Sequence, residues 1–245
     1  MDPAVLREDM VDGVEHAADV SESVAVAMRT IPRHEFVDDR PYDNRESEHA
    51  GTRVLAPRTV ARLLTALAPD PDDDVLVVGV GVGYTAAVLA ELTSARQVHA
   101  VDITRQVVYD ARSNLDAAGY DAVLVDCRDG ARGLPEYAPF DRILVEAAAV
   151  RPPQALVDQL ADDGRLVMPM GNGDQSLVAV EPDGGSFAVT ERFGPVAFAP
   201  LLVEGEQAGS RERNRTARED REFEEQGYFA RTGWEQDWID WEDHL

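Results

Sequence analysis

The sequence predicts an α/β protein with a mostly parallel, Rossmann-like central sheet covered by helices on both faces. From residue 75 onward, short apolar runs alternate with segments of helical periodicity, which is typical of a parallel sheet. A turn with three glycines, "GVGVGY", directly follows the first run, "VLVV". The 245 residues are 44% hydrophobic, enough to build a substantial core.

Residues 1–68 predict a helical segment followed by a loop. The apolar residues of each helix lie on one face, the second helix starts after Ser21, and the third starts at Pro57. The three faces are Leu6, Met10 and Val14, then Val24, Ala27, Met28 and Ile31, then Val60, Leu63, Leu64 and Leu67.

Residues 69–204 predict the α/β domain itself. We expect strands at 75–78, 97–101, 122–125, 142–149 and 165–170. The intervening helices are expected at 85–94 and 104–117, with a third from Pro152 and Pro153 to Gly164. Segments 176–182 and 186–194, separated by "DGG", predict an antiparallel hairpin that extends the sheet.

Residues 205–245 differ in composition and predict a charged linker followed by a helix. Trp234, Trp238 and Trp241 share one face of that helix. Such a face either docks on its own domain or forms a contact with a partner, for example in a homodimer. The sequence leaves both open.

The net charge of -24, with 47 acidic residues against 23 arginines and no lysine, disfavours binding to nucleic acid or to an anionic membrane. Such self-repulsion is tolerable in concentrated salt, which predicts a halophilic protein. The alternative is an acidic surface that steers a cationic partner. The single cysteine and the five histidines show no disulfide or metal-ligand pattern, and no apolar stretch is long enough to cross a membrane. We therefore expect a cytoplasmic protein without a metal.

The glycine turn at Gly79, Gly81 and Gly83 is the first candidate site. Without Cβ atoms, these positions allow unusual backbone angles and let a ligand approach main-chain N–H groups at the start of the next helix. A turn needed only for packing is the alternative. Tyr84 follows where a dinucleotide fingerprint would have a third small residue, which favours S-adenosylmethionine over NAD as the ligand. We expect Tyr84 to be among the residues that bind this cofactor.

Acidic residues follow the next three predicted strands. Asp102 ends the second strand at the distance typical of a carboxylate that binds ribose hydroxyls. Asp129, beside Gly130, is placed to accept the adenine amino group, and Glu146 lies near the reacting end of the ligand. Each alone is more often a solvated loop acid, but together they favour a binding site.

Four segments of the sequence carry a specific resemblance, "VLVVGVGVGYTAAVLAEL", "AVDITRQVVYDARSNLDAAGYD", "DGARGLPEYAPFDRILVEAAA" and "PPQALVDQLADDGRLVMPMG". In this order and spacing they resemble the protein-L-isoaspartate O-methyltransferase family. "MRTIPRHEFV" is similar to the N-terminal helical segment of that family. The resemblance implies an S-adenosylmethionine-dependent methyltransferase fold with rearranged last strands. It also implies methyl transfer to the carboxylate of isoaspartyl residues in damaged proteins.

The substrate side departs from the pattern of the family. Its loop usually reads threonine, isoleucine, serine, any residue, proline, whereas Arg53 and Leu55 stand here in place of the threonine and the serine. Arg128 replaces a glycine, and Glu146 replaces a small or hydroxyl residue. Either Arg53 clamps the substrate carboxylate and isoaspartyl methylation persists, or Glu146 repels that carboxylate. In the second case the protein methylates another substrate or only binds the cofactor.

Overall fold

The computed structural model describes residues 2–171, 173–184 and 186–203. Within them, the helices are α1 (Pro3–Ala17), α2 (Glu22–Thr30), α3 (Pro57–Leu67), α4 (Tyr84–Leu92), α5 (Arg105–Ala117) and α6 (Gln154–Val157), with 3-10 turns at Arg33–Glu35 and Gly130–Arg132. The strands are β1 (Ser47–His49), β2 (Thr52–Val54), β3 (Val75–Val78), β4 (Val98–Asp102), β5 (Leu124–Cys127), β6 (Phe140–Val145), β7 (Leu160–Met170), β8 (Gln175–Asp183) and β9 (Ser186–Val196). The linker and helix predicted for 205–245 lie outside the described residues.

Seven of the described strands form one sheet in the order β5-β4-β3-β6-β7-β8-β9. The first five in this order are parallel, and β8 and β9 continue the sheet as an antiparallel hairpin. The predicted α/β fold is thereby confirmed. Since the strand order reverses around β3, a crevice is expected beyond the carboxyl ends of β3, β4 and β6.

β3 shows why this sheet is covered on both faces. All four of its side chains are buried, and successive side chains of a strand point to opposite faces. Val75 and Val77 join the apolar cluster that contains the helices α1 to α5, whereas Leu76 and Val78 join a second cluster with α6. A continuous apolar run is typical of such a strand.

The N-terminal helices follow their predicted apolar faces. α3 begins at Pro57 as expected, and the four apolar residues predicted for its face are all buried. α3 packs against β6 and β7, and α2 packs against α4. The segment before the sheet therefore forms part of the same core and holds the loop after α2 near the strand ends.

The helix predicted from Pro152 to Gly164 is wrong in length. α6 ends at Val157, and β7 already begins at Leu160. The main-chain N–H of Phe140 donates to the Gln159 carbonyl at 2.8 Å, which starts the pairing of β6 with β7 early. The register then shifts, and Gly164 lies where a Cβ would come within 3.0 Å of the Phe140 carbonyl oxygen. A bulge thus occupies the segment that we expected to be helical.

Two predicted strands also have different limits. β6 ends at Val145 rather than at residue 149, because the Glu146 N–H makes the last bond to β3, at the Val78 carbonyl, and the Ala148 N–H donates instead to Ala199, after β9. β5 covers 124–127 rather than 122–125, since Cys127 pairs with Asp102. Both shifts bring polar residues to the edge of the crevice.

The short hairpin of β1 and β2 has no counterpart in the sequence prediction. Its turn residues Ala50 and Gly51 both have positive φ, and Ser47 pairs with Val54. Three-residue strands of mixed polarity carry no clear alternation, so the pattern of this segment does not distinguish a hairpin from a loop.

Candidate active site

A cavity of about 620 Å³ lies beyond the carboxyl ends of β3, β4 and β6. This is the size of a small-molecule site. Its walls come from the strand ends, from the β1–β2 hairpin with the residue that follows it, and from the chain after β9. The strand ends supply Gly79, Gly81, Asp102, Thr104, Gly130 and Glu146. The hairpin region supplies Glu48, Gly51, Arg53 and Leu55, and the chain after β9 supplies residues 198–202. The segments that supply these walls are far apart in the sequence, so the cavity exists only in the folded chain.

The glycine turn serves two purposes in the structure. Gly79 and Gly81 have φ of 89° and 54° and line the cavity, where a Cβ at Gly81 would meet only the Arg53 carbonyl oxygen, at 4.0 Å. Gly83 is not part of the wall. A Cβ there would come within 3.3 Å of Ala111 and Leu115 in α5. Ligand approach and helix packing therefore each explain part of the motif.

Asp102 lies at the end of β4 and faces the cavity. Its Oδ1 accepts a hydrogen bond from Thr104 N at 2.9 Å, and its Oδ2 accepts a long one from Gly81 N at 3.4 Å. Burial raises the pKa of this carboxyl, and the hydrogen bonds from these two amides oppose the rise. The carboxylate is held in place and retains acceptor capacity for hydroxyl groups of a ligand.

Tyr84 is buried and does not line the cavity. Its ring lies beneath the Arg33 guanidinium, with 4.2 Å between the guanidinium carbon and the ring centroid. The rings of Tyr84 and Phe36 pack edge to face, with their centroids 5.7 Å apart. Burial raises the pKa of its phenol to about 12. In this structure Tyr84 anchors the N-terminal segment to α4, and its contact with a cofactor stays a prediction.

Of the adenine-side pair, only Gly130 lines the cavity. It packs so closely against Val78 that a Cβ would collide with that side chain. Asp129 caps the 3-10 turn that follows it, because its Oδ1 accepts from Ala131 N at 2.9 Å, and it pairs with Arg132 at 3.8 Å. The contact between Asp129 and a cofactor stays a prediction.

The guanidinium of Arg53 is hydrogen-bonded to Glu46, just before its own hairpin, and to Ala197, just after β9. Two of its nitrogens donate to the two carboxylate oxygens of Glu46, with Nε 2.8 Å from Oε2, and a third donates to the Ala197 carbonyl. The fork that would bind a substrate carboxylate thus already holds one. Arg53 lines the cavity wall, and its role toward a substrate stays a prediction because its guanidinium already has a partner within the chain.

Leu55 is 7% exposed and lines the cavity. Its carbonyl oxygen accepts a hydrogen bond of 2.7 Å from Nη2 of Arg33, while Nε of Arg33 donates to the Pro41 carbonyl at 2.8 Å. Sequence reasoning missed Arg33. Its only signal is an arginine in "IPRHEF", beside the polar His34 and Glu35, and such a segment does not reveal that the side chain is 2% exposed.

Glu146 follows β6 and lines the cavity beside Gly79. Its main-chain N–H donates to the Val78 carbonyl at 2.8 Å, and its Oε1 is buried without a hydrogen-bond partner among the described residues. Burial raises the pKa of this carboxyl to about 8. The Thr85 hydroxyl and Arg33 act against the rise, and Asp102 adds to it.

The mostly parallel sheet, with a glycine-edged cavity at its switch point and an acid at the end of β4, has the fold of the S-adenosylmethionine-dependent methyltransferases. A Plasmodium falciparum structure described as a protein-L-isoaspartate O-methyltransferase in complex with S-adenosyl-L-homocysteine shares the fold, with a TM-score of 0.73 and 21% identity over 80% of this chain and 98% of that chain. A second solved structure described by the same enzyme name has a TM-score of 0.71 at 24% identity, covering 79% of this chain and 65% of the other.

The sequence comparisons reach further than the fold. The sequence model of the protein-L-isoaspartate(D-aspartate) O-methyltransferase family matches residues 7–207. A protein from Methanocella arvoryzae named protein-L-isoaspartate O-methyltransferase is 45% identical to this chain, over 71% of this chain and 96% of its own length. A protein of the same name from Aeropyrum pernix is 43% identical, over 75% of this chain and 74% of its own length. The chain belongs to the protein-L-isoaspartate(D-aspartate) O-methyltransferase family. The predicted resemblance and the predicted class of enzyme and cofactor are confirmed.

Proposed function

We propose that this chain methylates the free carboxylate of isoaspartyl residues in damaged proteins, with S-adenosylmethionine as methyl donor. The observation that carries the proposal is that one continuous cavity is lined by the glycine turn, by Asp102 and by the β1–β2 hairpin. Glu48 and Gly51 in the hairpin are exposed, so the cavity reaches the surface where a peptide would enter.

The residues present fit the donor. Gly79 and Gly81 leave room for a ligand against bare backbone, and Asp102 is held with acceptor capacity toward the cavity. We assign Asp102 to the ribose hydroxyls and Gly130 to the base side, with Asp129 as a further candidate there. When bound, the donor supplies an electrophilic methyl group on a sulfonium.

The reaction needs little acid or base catalysis from the protein. A substrate carboxylate is already ionised at neutral pH, so its oxygen needs only alignment with the methyl group. The substrate-side candidates Arg53, Leu55 and Glu146 all line the cavity, which supports a role in that alignment. Methylation of the carboxylate then permits the neighbouring backbone nitrogen to close a succinimide, from which normal aspartate can form.

Two measurements test this function. Calorimetry in molar salt is expected to show binding of both S-adenosylmethionine and S-adenosylhomocysteine. A methyl-release assay is expected to show turnover of an isoaspartyl peptide and none of the same peptide with a normal aspartate. Binding without turnover would favour the alternative that Arg53 and Leu55 suggest, namely a relative that binds the cofactor but methylates another substrate or serves only in interactions.

Three further predictions accompany the proposal. We place the protein in the cytoplasm of a halophile because of its net charge of -24. Among the described residues, no helix has the length and apolar character to cross a bilayer. A homodimer through the tryptophan helix stays a prediction, since 205–245 lies outside the described residues. Comparing the mass in solution of the full chain and of a Trp238→Ala variant tests the homodimer.

A further inference from the structure

Glu146 occupies an unusual position for an acidic side chain. It follows β6 and lines the same cavity as Asp102 from β4, Arg53 from β2 and Leu55. Its Oε1 is buried and meets no hydrogen-bond partner in the part of the chain that the structure describes. A buried carboxylate oxygen without a partner is costly, which favours the protonated carboxyl, while the residue as a whole is only half-buried and lines the cavity.

The groups around Glu146 do not stabilise its charge well. Arg33, from the 3-10 turn, is committed to the carbonyls of Pro41 and Leu55, and Arg53, from β2, is committed to Glu46 and Ala197. Asp102, from β4, adds a like charge nearby, and α4 contributes only Thr85 and the phenol of Tyr84. Neutralisation by a proton is therefore the favourable state.

We propose that Glu146 binds the substrate in its neutral form and donates a hydrogen bond to the isoaspartyl carboxylate. The inference rests on the isoaspartyl function proposed above. In its neutral form Glu146 does not repel an anionic substrate, and its O–H group can recognise the substrate carboxylate by donating a hydrogen bond to it. It also explains how this chain recognises a carboxylate although Leu55 offers no hydroxyl and the fork of Arg53 is occupied.

The proton of Glu146 stays in place during the reaction. One carboxylate oxygen of the substrate accepts the hydrogen bond, and the other forms the new C–O bond with the methyl carbon. The methyl–sulfur bond breaks, and its electron pair remains on sulfur. Positive sulfonium and negative carboxylate thus become a neutral thioether and a neutral ester, with no proton transferred. A neutral donor contributes orientation without removing charge from the attacking oxygen.

The inference predicts a specific pH dependence of substrate affinity. Burial places the pKa of Glu146 at about 8, so the donor form dominates at pH 7 and is lost at higher pH. The dissociation constant of an isoaspartyl peptide is expected to rise by up to about tenfold per pH unit above that pKa. Affinity for S-adenosylhomocysteine is expected to change much less over the same range.

The test measures the binding of an isoaspartyl peptide to protein saturated with S-adenosylhomocysteine, between pH 6.5 and about 9.5, by calorimetry in molar salt. Glu146→Gln keeps a neutral donor of similar shape, so its affinity at pH 7 should stay within about threefold of wild type and should no longer depend on pH. Glu146→Leu removes the donor and should weaken peptide binding by roughly 10- to 100-fold. Asp121→Ala, at an exposed turn, is the matched control.

Three outcomes would overturn the proposal, namely a Glu146→Leu variant that binds peptide normally, a Glu146→Gln variant that retains the wild-type pH profile, or a wild type whose peptide affinity is flat with pH. Cofactor affinity within about twofold of wild type shows that the variants are folded. The binding readout needs no turnover. Failure of the wild type to release methyl product would therefore count against the proposed function, whereas normal turnover with an unaltered Glu146→Leu variant would count against this inference alone.

Discussion

The guanidinium of Arg33 donates a hydrogen bond of 2.7 Å to the carbonyl oxygen of Leu55. This bond joins the 3-10 turn after α2 to the wall of the cavity, across 22 positions of sequence. The same guanidinium lies over the ring of Tyr84 at the start of α4. One buried cation therefore sets the position of the loop on the substrate side relative to the glycine turn on the donor side.

Replacing Arg33 with alanine should disturb both stability and substrate binding. The carbonyls of Pro41 and Leu55 would lose their donor and the ring of Tyr84 would lose its cation, so we expect a loss of roughly 2–4 kcal/mol in the free energy of unfolding. The KM for an isoaspartyl peptide should rise more than that for the methyl donor. Denaturant unfolding and steady-state kinetics measure the two effects. Arg58→Ala, at an exposed site in α3, is the control, and equal behaviour of the two variants would contradict the prediction.

Asp102→Ala should weaken binding of S-adenosylmethionine by about 100-fold, since a half-buried charged acceptor for hydroxyl groups would be lost. Calorimetry in molar salt measures this directly, and Asp121→Ala provides the comparison. Undiminished affinity of the Asp102 variant would show that the ribose is bound elsewhere.

Alanine variants of Gly83 and Gly81 should lose different properties, namely stability for Gly83 and affinity for the methyl donor for Gly81. Gly83→Ala places a Cβ against Ala111 and Leu115 at positive φ, so it should cost roughly 1–3 kcal/mol of stability. In Gly81→Ala the residue would keep a φ of 54° and its Cβ would enter open cavity, so the larger effect should be on affinity for the methyl donor. Thermal unfolding and donor titration of both variants make the comparison. The opposite ranking of the two effects would contradict this division.

Leu55→Ser restores the hydroxyl that the family pattern has at this position, and we expect it to raise kcat/KM for an isoaspartyl peptide by up to about tenfold. It should also cost about 1–2 kcal/mol of stability, because a buried leucine is lost. Leu55→Ala, which makes the space without the hydroxyl, is the control. An unchanged rate in the serine variant would remove this loop from the substrate site.

The pH dependence of stability should report Glu146 independently of any substrate. Its pKa is raised in the folded state, so the folded chain binds more protons than the unfolded chain between the ordinary glutamate pKa, 4.5, and about 8. Stability from this group is full below that window and is lost as pH rises through it. Glu146→Gln should therefore be less sensitive to pH, and relative to wild type it should gain roughly 2–5 kcal/mol between pH 5 and pH 8. Denaturant unfolding at each pH measures this, and the prediction would be contradicted if the unfolding free energies of wild type and variant changed equally with pH across this range.

Strongly periodic segments were predictable, and irregular ones were not. β3 and α3 matched because buried strands and amphipathic helices leave a continuous or regularly spaced apolar pattern. The segment after Pro153 has apolar residues at helical spacing as well, yet the pairing of β6 with β7 and the bulge near Gly164 decided its structure. Pairing with a distant strand leaves no local signal. The β1–β2 hairpin was missed for another reason, since its three-residue strands carry no clear alternation.

By itself, the sequence determined the order of strands and helices, the glycine turn, the carboxylates at the strand ends and the resemblance to a family of methyltransferases. All of these depend on residues close together along the chain. The tertiary structure alone decided that Gly83 packs against α5, that Tyr84 lies beneath Arg33, that Arg53 donates to Ala197 and that Oε1 of Glu146 is buried without a partner among the described residues. These features arise from contacts between distant segments and from the desolvation that packing imposes, and both exist only once the chain has folded.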